Sequence, residues 1–296
     1  MVEATLIVFG AAGQVGRSLA ALPAPPGWRL LTVDRATADI TNPEQVAAVL
    51  AGITLGTVVN LASYTQVDRA ESEPDAAFAI NRDGAAIVAR YAGAHALPLI
   101  HLSTDYVFDG TQAPWVEDDA TGPLSVYGAS KLAGEHAVLA AHPRALILRT
   151  AWVFGPFGNN FVKAILRRAL AQRELEVVAD QHGCPTPAPA LAETIWTLAQ
   201  RLSTSERPDD FGIFHYCGDE PTTWHGFSQA ILSEATTLGC RVGCANPVST
   251  PAYPAAARRP AWSVLDCGKL ARRHGIASPS WRAAVRKLLP DILENL

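Results

Sequence analysis

Thr5-Leu-Ile-Val-Phe-Gly10-Ala-Ala-Gly13-Gln-Val-Gly16 runs from an apolar strand through a glycine turn towards a helix. Residues 5–9 are apolar and β-rich, the pattern of a strand buried in a parallel sheet. Residues 17–22, Arg-Ser-Leu-Ala-Ala-Leu, read as helix. Strand, glycine turn and helix form the context a dinucleotide-binding turn requires. Gly10 permits the tight turn, Gly13 lets backbone approach a pyrophosphate, and Gly16 lets the helix pack close to the strand. Gln14 and Val15 lie in the turn ahead of the helix N-terminus, whose free N–H groups and positive dipole end meet phosphate. The spacing is GxxGxxG rather than GxGxxG. A second strand, Arg29-Leu-Leu-Thr-Val33, ends at Asp34. That carboxylate lies about 20 residues past the glycines, where a ribose-binding acid is expected. Arg35 follows it and could instead hold a 2′-phosphate. An ordinary βα turn explains the glycines alone but not their agreement with strand, helix and acid.

Outward from this turn, strands and helices alternate. Residues 44–50 read as a helix after Thr41-Asn42-Pro43, residues 57–60 as a strand, and residues 74–94 as one long helix. Residues 97–103 and 145–149 read as further strands. The βα alternation predicts an α/β fold, a doubly wound parallel sheet of Rossmann type. Chemistry in such sheets gathers outside the C-terminal strand ends. Residues 10–16, 61–65 and 103–109 fall at such ends. Past residue 155 the pattern loosens and becomes richer in proline, glycine and tryptophan. The expected division is a dinucleotide-binding domain over residues 1–155 and a smaller C-terminal lobe over 156–296, mainly substrate-binding, with segments interleaved.

A chain of 296 residues can bury a sizeable core. Its net charge of −4 gives no basic footprint, so nucleic acid is not an expected partner. No apolar run reaches about 18 residues, so no membrane span is expected. The chain enters a strand almost at once, which leaves no room for a signal peptide and predicts a cytoplasmic protein. Five cysteines at irregular spacing read as reduced thiols. Cys240 and Cys244 have no partner pair, and His182 with Cys184 offers only two ligands, so no metal site is expected.

Ser125-Val-Tyr-Gly-Ala-Ser-Lys131 places Tyr127 and Lys131 four residues apart. On a helix both side chains share one face, about 5–6 Å apart at Cβ. An ammonium near a phenol favours the phenolate and lowers its pKa from about 10. Such a pair can protonate an alkoxide as it forms from a ketone.

The glycine turn, Asp39-Ile40, Ser103-Thr104 and the Tyr127/Lys131 pair together resemble the extended short-chain dehydrogenase/reductases. Ser103-Thr-Asp-Tyr-Val-Phe-Asp-Gly110, Trp152-Val-Phe-Gly155, Gly158-Asn-Asn-Phe-Val-Lys163, Asp180-Gln-His-Gly-Cys-Pro-Thr186 and Arg258-Arg-Pro260 bring the chain closer to one family within them, the dTDP-4-dehydrorhamnose reductases. The resemblance spans about residues 5–290. It implies hydride transfer from a nicotinamide to C4 of a dTDP-4-keto sugar, giving dTDP-L-rhamnose. Tyr127 would give the proton, Lys131 would lower the Tyr127 pKa and bond the nicotinamide ribose, and Thr104 would polarise the carbonyl. Asp39 and Ile40 would line the adenine pocket, and Leu61, Ala62, Ser63 and Tyr64 the cofactor groove. Val67, Asp68, Asp105, Tyr106 and Trp152 would face the sugar. Asn160 and Lys163 would lie near the nucleotide diphosphate, and Arg258 with Arg259 would anchor phosphate or a loop.

Family habit points to NADPH with tolerance of NADH, and to a homodimer. The first helix contains no glutamate, which disfavours the magnesium-bridged dimer of some family members. Two other classes compete. One is a non-catalytic regulatory subunit, which the intact Thr104, Tyr127 and Lys131 disfavour. The other is an epimerase or dehydratase. A dehydratase would carry Asp-Glu after its threonine, where this chain has Asp105-Tyr106.

Overall fold

The computed structural model describes residues 3–112, 114–171 and 173–296. Strand β1 (Ala4–Phe9) lies inside a six-stranded sheet and is buried throughout. Its residues alternate between two helical layers. Leu6 and Val8 pack with Val15 and Leu19 of α1 (Gln14–Ala20), while Ile7 and Phe9 face the opposite layer. β2 (Trp28–Val33) pairs parallel with one edge of β1, and β3 (Gly56–Asn60) pairs parallel with the other. The chain therefore reverses its winding direction at β1, and the crevice between β1 and β3 is the topological switch point.

Between β2 and β3, α2 (Pro43–Leu50) begins where Asn42 Oδ1 accepts from the N–H groups of Glu44 and Gln45 at 3.0 and 3.1 Å. A short helix α3 (Val67–Ala70) leads to α4 (Pro74–Phe78). The single helix expected over 74–94 is interrupted. Ala79–Gly84 winds as a π-helix before α5 (Ala85–Ala94) resumes. The wide turn holds Asn81, whose Oδ1 accepts from Tyr64 N–H and from Ser63 Oγ, each at 2.8 Å. Its Nδ2 donates to Ser130 Oγ at 2.9 Å. Insertions of this kind mark sites where one side chain is needed in a special place.

β4 (Leu99–Thr104) and β5 (Ala145–Thr150) extend the parallel sheet, joined by α6 (Val126–Ala141). The second lobe follows β6 (Val153–Phe154). It contains α7 (Phe161–Ala171) and β7 (Glu174–Val178). Two short strands, β8 (His182–Gly183) and β9 (Thr186–Pro187), carry the chain back to the first domain. There α8 (Ala188–Thr204) covers the Leu6/Val8 face, and β10 (Gly212–His215) joins the sheet edge beside β5. The sheet domain thus extends well past residue 155. β11 (Thr222–Thr223), α9 (Trp224–Thr237) and β12 (Cys244–Val248) then return to the second lobe, with β12 parallel to β7. α10 (Gly268–His274) contributes Leu270 to the first core, and α11 (Trp281–Glu294) buries Trp281 in the second. No helix among the described residues is long and apolar enough to cross a membrane.

Candidate active site

A cleft of about 910 Å³ opens along the C-terminal ends of β1, β3, β4 and β5. Its first half is the glycine turn. Gly10 has φ +82°, and a Cβ there would lie 2.5 Å from Ala62 N, so two backbones meet at the switch point. A Cβ on Gly16 would lie 2.5 Å from Ala11 Cα, which makes that position a helix contact. Gly13 differs, because a Cβ there would meet only Gly10 O at 3.4 Å. It is the open wall of the turn. α1 has no side-chain cap and no acidic residue in its first turn, so its leading N–H groups face an anion-ready space.

Asp34 Oδ1 accepts from Thr37 Oγ1 and Thr37 N–H, both at 2.8 Å, and these bonds hold its carboxyl below the usual range. Arg35 is largely exposed, and its Nε lies 3.2 Å from Asp39 Oδ2. The N–H and hydroxyl of Thr41 bind Asp39 Oδ1 and keep that carboxyl low as well. Asp39, Ile40, Leu61, Ala62 and Ser63 line the cleft. Tyr64, expected among them, does not. Its hydroxyl donates to Glu73 Oε2 at 2.7 Å. Asn160 reaches the glycine turn, donating to Gln14 Oε1 at 3.0 Å and Gly155 O at 2.9 Å. The residues present fit a nicotinamide dinucleotide: an open glycine cradle, an acid and an exposed guanidinium at the ribose end, and an apolar groove between.

The second half of the cleft holds the tyrosine and lysine. Ser125 Oγ caps α6 by accepting from Gly128 N–H at 3.2 Å, which sets Tyr127 in the first turn. Tyr127 is half-buried, and it lines the cleft together with Thr104. The Tyr106 ring meets it edge-on at 5.8 Å. One turn on, buried Lys131 donates from Nζ to Leu102 O at 2.7 Å. Burial lowers the Lys131 pKa to about 8, against the pull of the Glu135 charge. Glu135 forms a buried pair with Arg149 at 2.7 Å and accepts from Ser103 Oγ at 2.5 Å. Nothing in the spacing of the sequence announces this ion pair.

Thr104 Oγ1 donates to Asp105 Oδ1 at 3.0 Å. Asp105 is buried, its Oδ2 has no hydrogen-bond partner, and burial pushes its pKa up to about 6. Trp152 takes φ +49°, a conformation rare for a bulky residue, and stacks on Trp224 with centroids 3.4 Å apart. Gly183 makes room for the stack, since a Cβ there would lie 2.5 Å from the Trp152 ring. Val67, Thr104, Asp105, Tyr106, Trp152 and Trp224 all line the cleft.

A second cavity of about 820 Å³ adjoins it, with Trp224 lining both. Arg168, Glu176, Arg258 and Arg259 line it. Asp68 lies here rather than in the first cleft. It is clasped by Arg259, with the closest N–O distance 2.6 Å, and by Ala257 N–H at 3.1 Å. The Arg259 hydrogen bond holds its carboxyl below the usual range. Lys163 lines neither cavity. Its Nζ donates to Asn295 O at 3.5 Å. Helix phase explains this: Phe161, Ile165 and Arg168 follow the i, i+4, i+7 spacing of one face, and position 163 falls about 200° round from 161. Among the described residues, no cluster of three His, Cys, Asp or Glu could hold a metal ion.

The family model described as RmlD substrate binding domain matches residues 4–293. A dTDP-4-dehydrorhamnose reductase from Sinorhizobium fredii is 45% identical over 289 residues, 97% of each chain. The chain belongs to the dTDP-4-dehydrorhamnose reductase family. Another member, from Aggregatibacter actinomycetemcomitans, is 39% identical over 96% of this chain and 98% of its own length. The crystal structure of a dTDP-4-dehydrorhamnose reductase from Bacillus anthracis, in complex with NADP, superposes with TM-score 0.89 at 34% identity, covering 98% of this chain and 99% of that one.

Within this reductase fold the expectation for the Tyr127 proton is corrected as well. Lys131 was expected to lower the Tyr127 pKa, yet that pKa is raised to about 12. Burial is the main cause. The Thr104 hydroxyl opposes it and the Asp105 charge adds to it. The lysine ammonium is turned to the Leu102 carbonyl instead. Residues that the sequence reading left without a role also enter the site: Asn81, Glu135, Arg168 and Trp224. For Arg168 the signal was present, in its spacing from Phe161 and Ile165.

Proposed function

We propose that this chain reduces the C4 ketone of dTDP-4-dehydro-6-deoxy-L-mannose to dTDP-L-rhamnose, with NADPH as reductant and NADH as a substitute. The observation that carries this is that Thr104, Tyr127 and Lys131 line one cleft with the glycine turn. A nicotinamide bound there would supply the hydride. The Thr104 hydroxyl and the Tyr127 phenol would both reach the substrate carbonyl oxygen and stabilise its developing charge. Tyr127 would deliver the proton as that oxygen becomes a hydroxyl. Asp105 would accept from a sugar hydroxyl through its unpartnered Oδ2, and the Trp152 ring would wall the sugar. Arg168 and Arg258 in the second cavity would pair with the diphosphate. Asp34 favours a free ribose hydroxyl and Arg35 a 2′-phosphate, which supports use of both cofactors. On this reading the enzyme works in the cytoplasm.

The test follows absorbance at 340 nm with purified protein, NADPH or NADH, and the keto sugar generated in situ by the upstream dehydratase and epimerase. Substrate-dependent loss of absorbance over many turnovers, with dTDP-L-rhamnose as product, is expected. Cofactor binding without substrate-dependent oxidation refutes the proposal.

A further inference from the structure

Three of the five cysteines meet behind the substrate site, although they lie far apart in the chain. Cys184 follows β8, Cys217 follows β10, and Cys267 precedes α10. They belong to or border an apolar cluster that includes Phe108, Trp115 and Leu265. Cys217 Sγ lies 3.6 Å from Cys267 Sγ, and Cys217 N–H donates to the same sulfur at 3.3 Å. Cys184 and Cys217 are buried, whereas Cys267 is partly exposed. None of the three has a part in the ketone reduction.

We propose that Cys217 and Cys267 are a hydroperoxide-responsive dithiol that closes to a reversible disulfide, with Cys267 reacting first. Accessibility sets the order, because Cys267 is partly exposed and Cys217 is buried. The Cys267 thiolate attacks one oxygen of the hydroperoxide. The O–O bond breaks, leaving a sulfenic acid on Cys267 and releasing the alcohol, or water from hydrogen peroxide. Cys217 sulfur then attacks the Cys267 sulfur. The S–S bond forms, the S–O bond breaks, and the hydroxyl leaves as water with the Cys217 proton. Each sulfur loses one electron and the peroxide gains two. The sulfurs must approach from 3.6 Å to about 2.0 Å to bond. Local chemistry agrees with these roles. Hydrogen bonds from the Cys217 thiol, Ser278 and the Cys217 N–H lower the Cys267 pKa, although burial opposes them. Cys217 is driven the other way by hydrogen bonds with Cys184 and Cys267 and by burial, which keeps it a thiol until it is needed.

The test treats the reduced, full-length protein with graded hydrogen peroxide and removes excess with catalase. Free thiols are then alkylated under denaturing conditions and peptides mapped by mass spectrometry. The expected result is loss of two of the five thiols, one crosslinked peptide pair carrying Cys217 and Cys267, and recovery of all five on addition of dithiothreitol. In Cys217→Ala the sulfenic acid should persist on Cys267 and be trapped by dimedone. The wild-type map stands alone if that variant does not fold. A Cys184–Cys217 link overturns the proposal. So does continued alkylation of Cys217 and Cys267 at peroxide levels that already oxidise exposed Cys244.

Discussion

Replacing Lys131 with methionine should stabilise the cofactor-free protein while abolishing turnover. Burial lowers the lysine pKa from 10.5 to about 8. That shift of about 2.5 units, at about 1.36 kcal/mol each, amounts to about 3 kcal/mol. The sign follows from proton counting. The unfolded chain holds its lysine proton up to pH 10.5, and the folded chain gives it up near pH 8. Below pH 8 the folded state therefore carries the full cost of burying an ammonium, and that cost fades as pH rises to 10.5. Methionine fills similar volume without charge, and Glu135 keeps Arg149 as its partner. Losing the bond to Leu102 O takes back about 1 kcal/mol, which leaves a net gain of about 2 kcal/mol at pH 7. Urea unfolding of both proteins at pH 7, 9 and 10.5 measures it. The gain should be largest at pH 7 and gone by pH 10.5. A variant less stable than wild type at pH 7, or a difference that ignores pH, refutes the reasoning.

Tyr127→Phe should lower turnover by on the order of 10²-fold or more with little change in cofactor affinity, checked by steady-state kinetics and cofactor titration. Asp105, with its pKa raised to about 6, should make kcat/KM fall as pH drops through 6. Sugar hydroxyls donate to the carboxylate and not to the neutral acid in the same way, so Asp105→Asn should flatten that limb; a pH–rate profile of the two proteins decides. Arg168→Ala should raise the substrate KM by about tenfold, as for one lost charge-assisted contact, whereas Lys163→Ala should leave KM near wild type.

The parts of the site that sequence made legible are those governed by local chemistry. The glycine turn, the acid after β2 and the tyrosine–lysine helix each depend on residues within a turn or two of one another. What escaped depends on long-range packing or on helix phase. Asp68 reads as a free acid in the substrate cleft, but Arg259, 191 residues away, claims its carboxylate. Tyr64 follows a strand end that lines the cleft, yet Asn81 takes its backbone and Glu73 its hydroxyl. Asn81 can do so only because a π-helix replaces a regular turn, and apolar periodicity carries no sign of that. Lys163 is a different error, since the spacing of Phe161, Ile165 and Arg168 already points to another face.

The tyrosine and lysine show how one physical cause can invert an expectation drawn from spacing. A neighbouring ammonium in water would pull the phenol pKa down. Here the lysine leaves water and the phenol loses part of it, so each is pushed towards its neutral form: the phenol up to about 12 and the ammonium down to about 8. A reductase loses nothing by this. Reduction needs a phenol that still carries its proton when the alkoxide forms, and a raised pKa guarantees it. The demand shifts to restoring that proton afterwards, and Thr104, which shares the cleft with Tyr127, donates to Asp105, a carboxyl poised near pH 6. Four residues on a helix bring Tyr127 and Lys131 to one face; the burial of that face decides what their protons do.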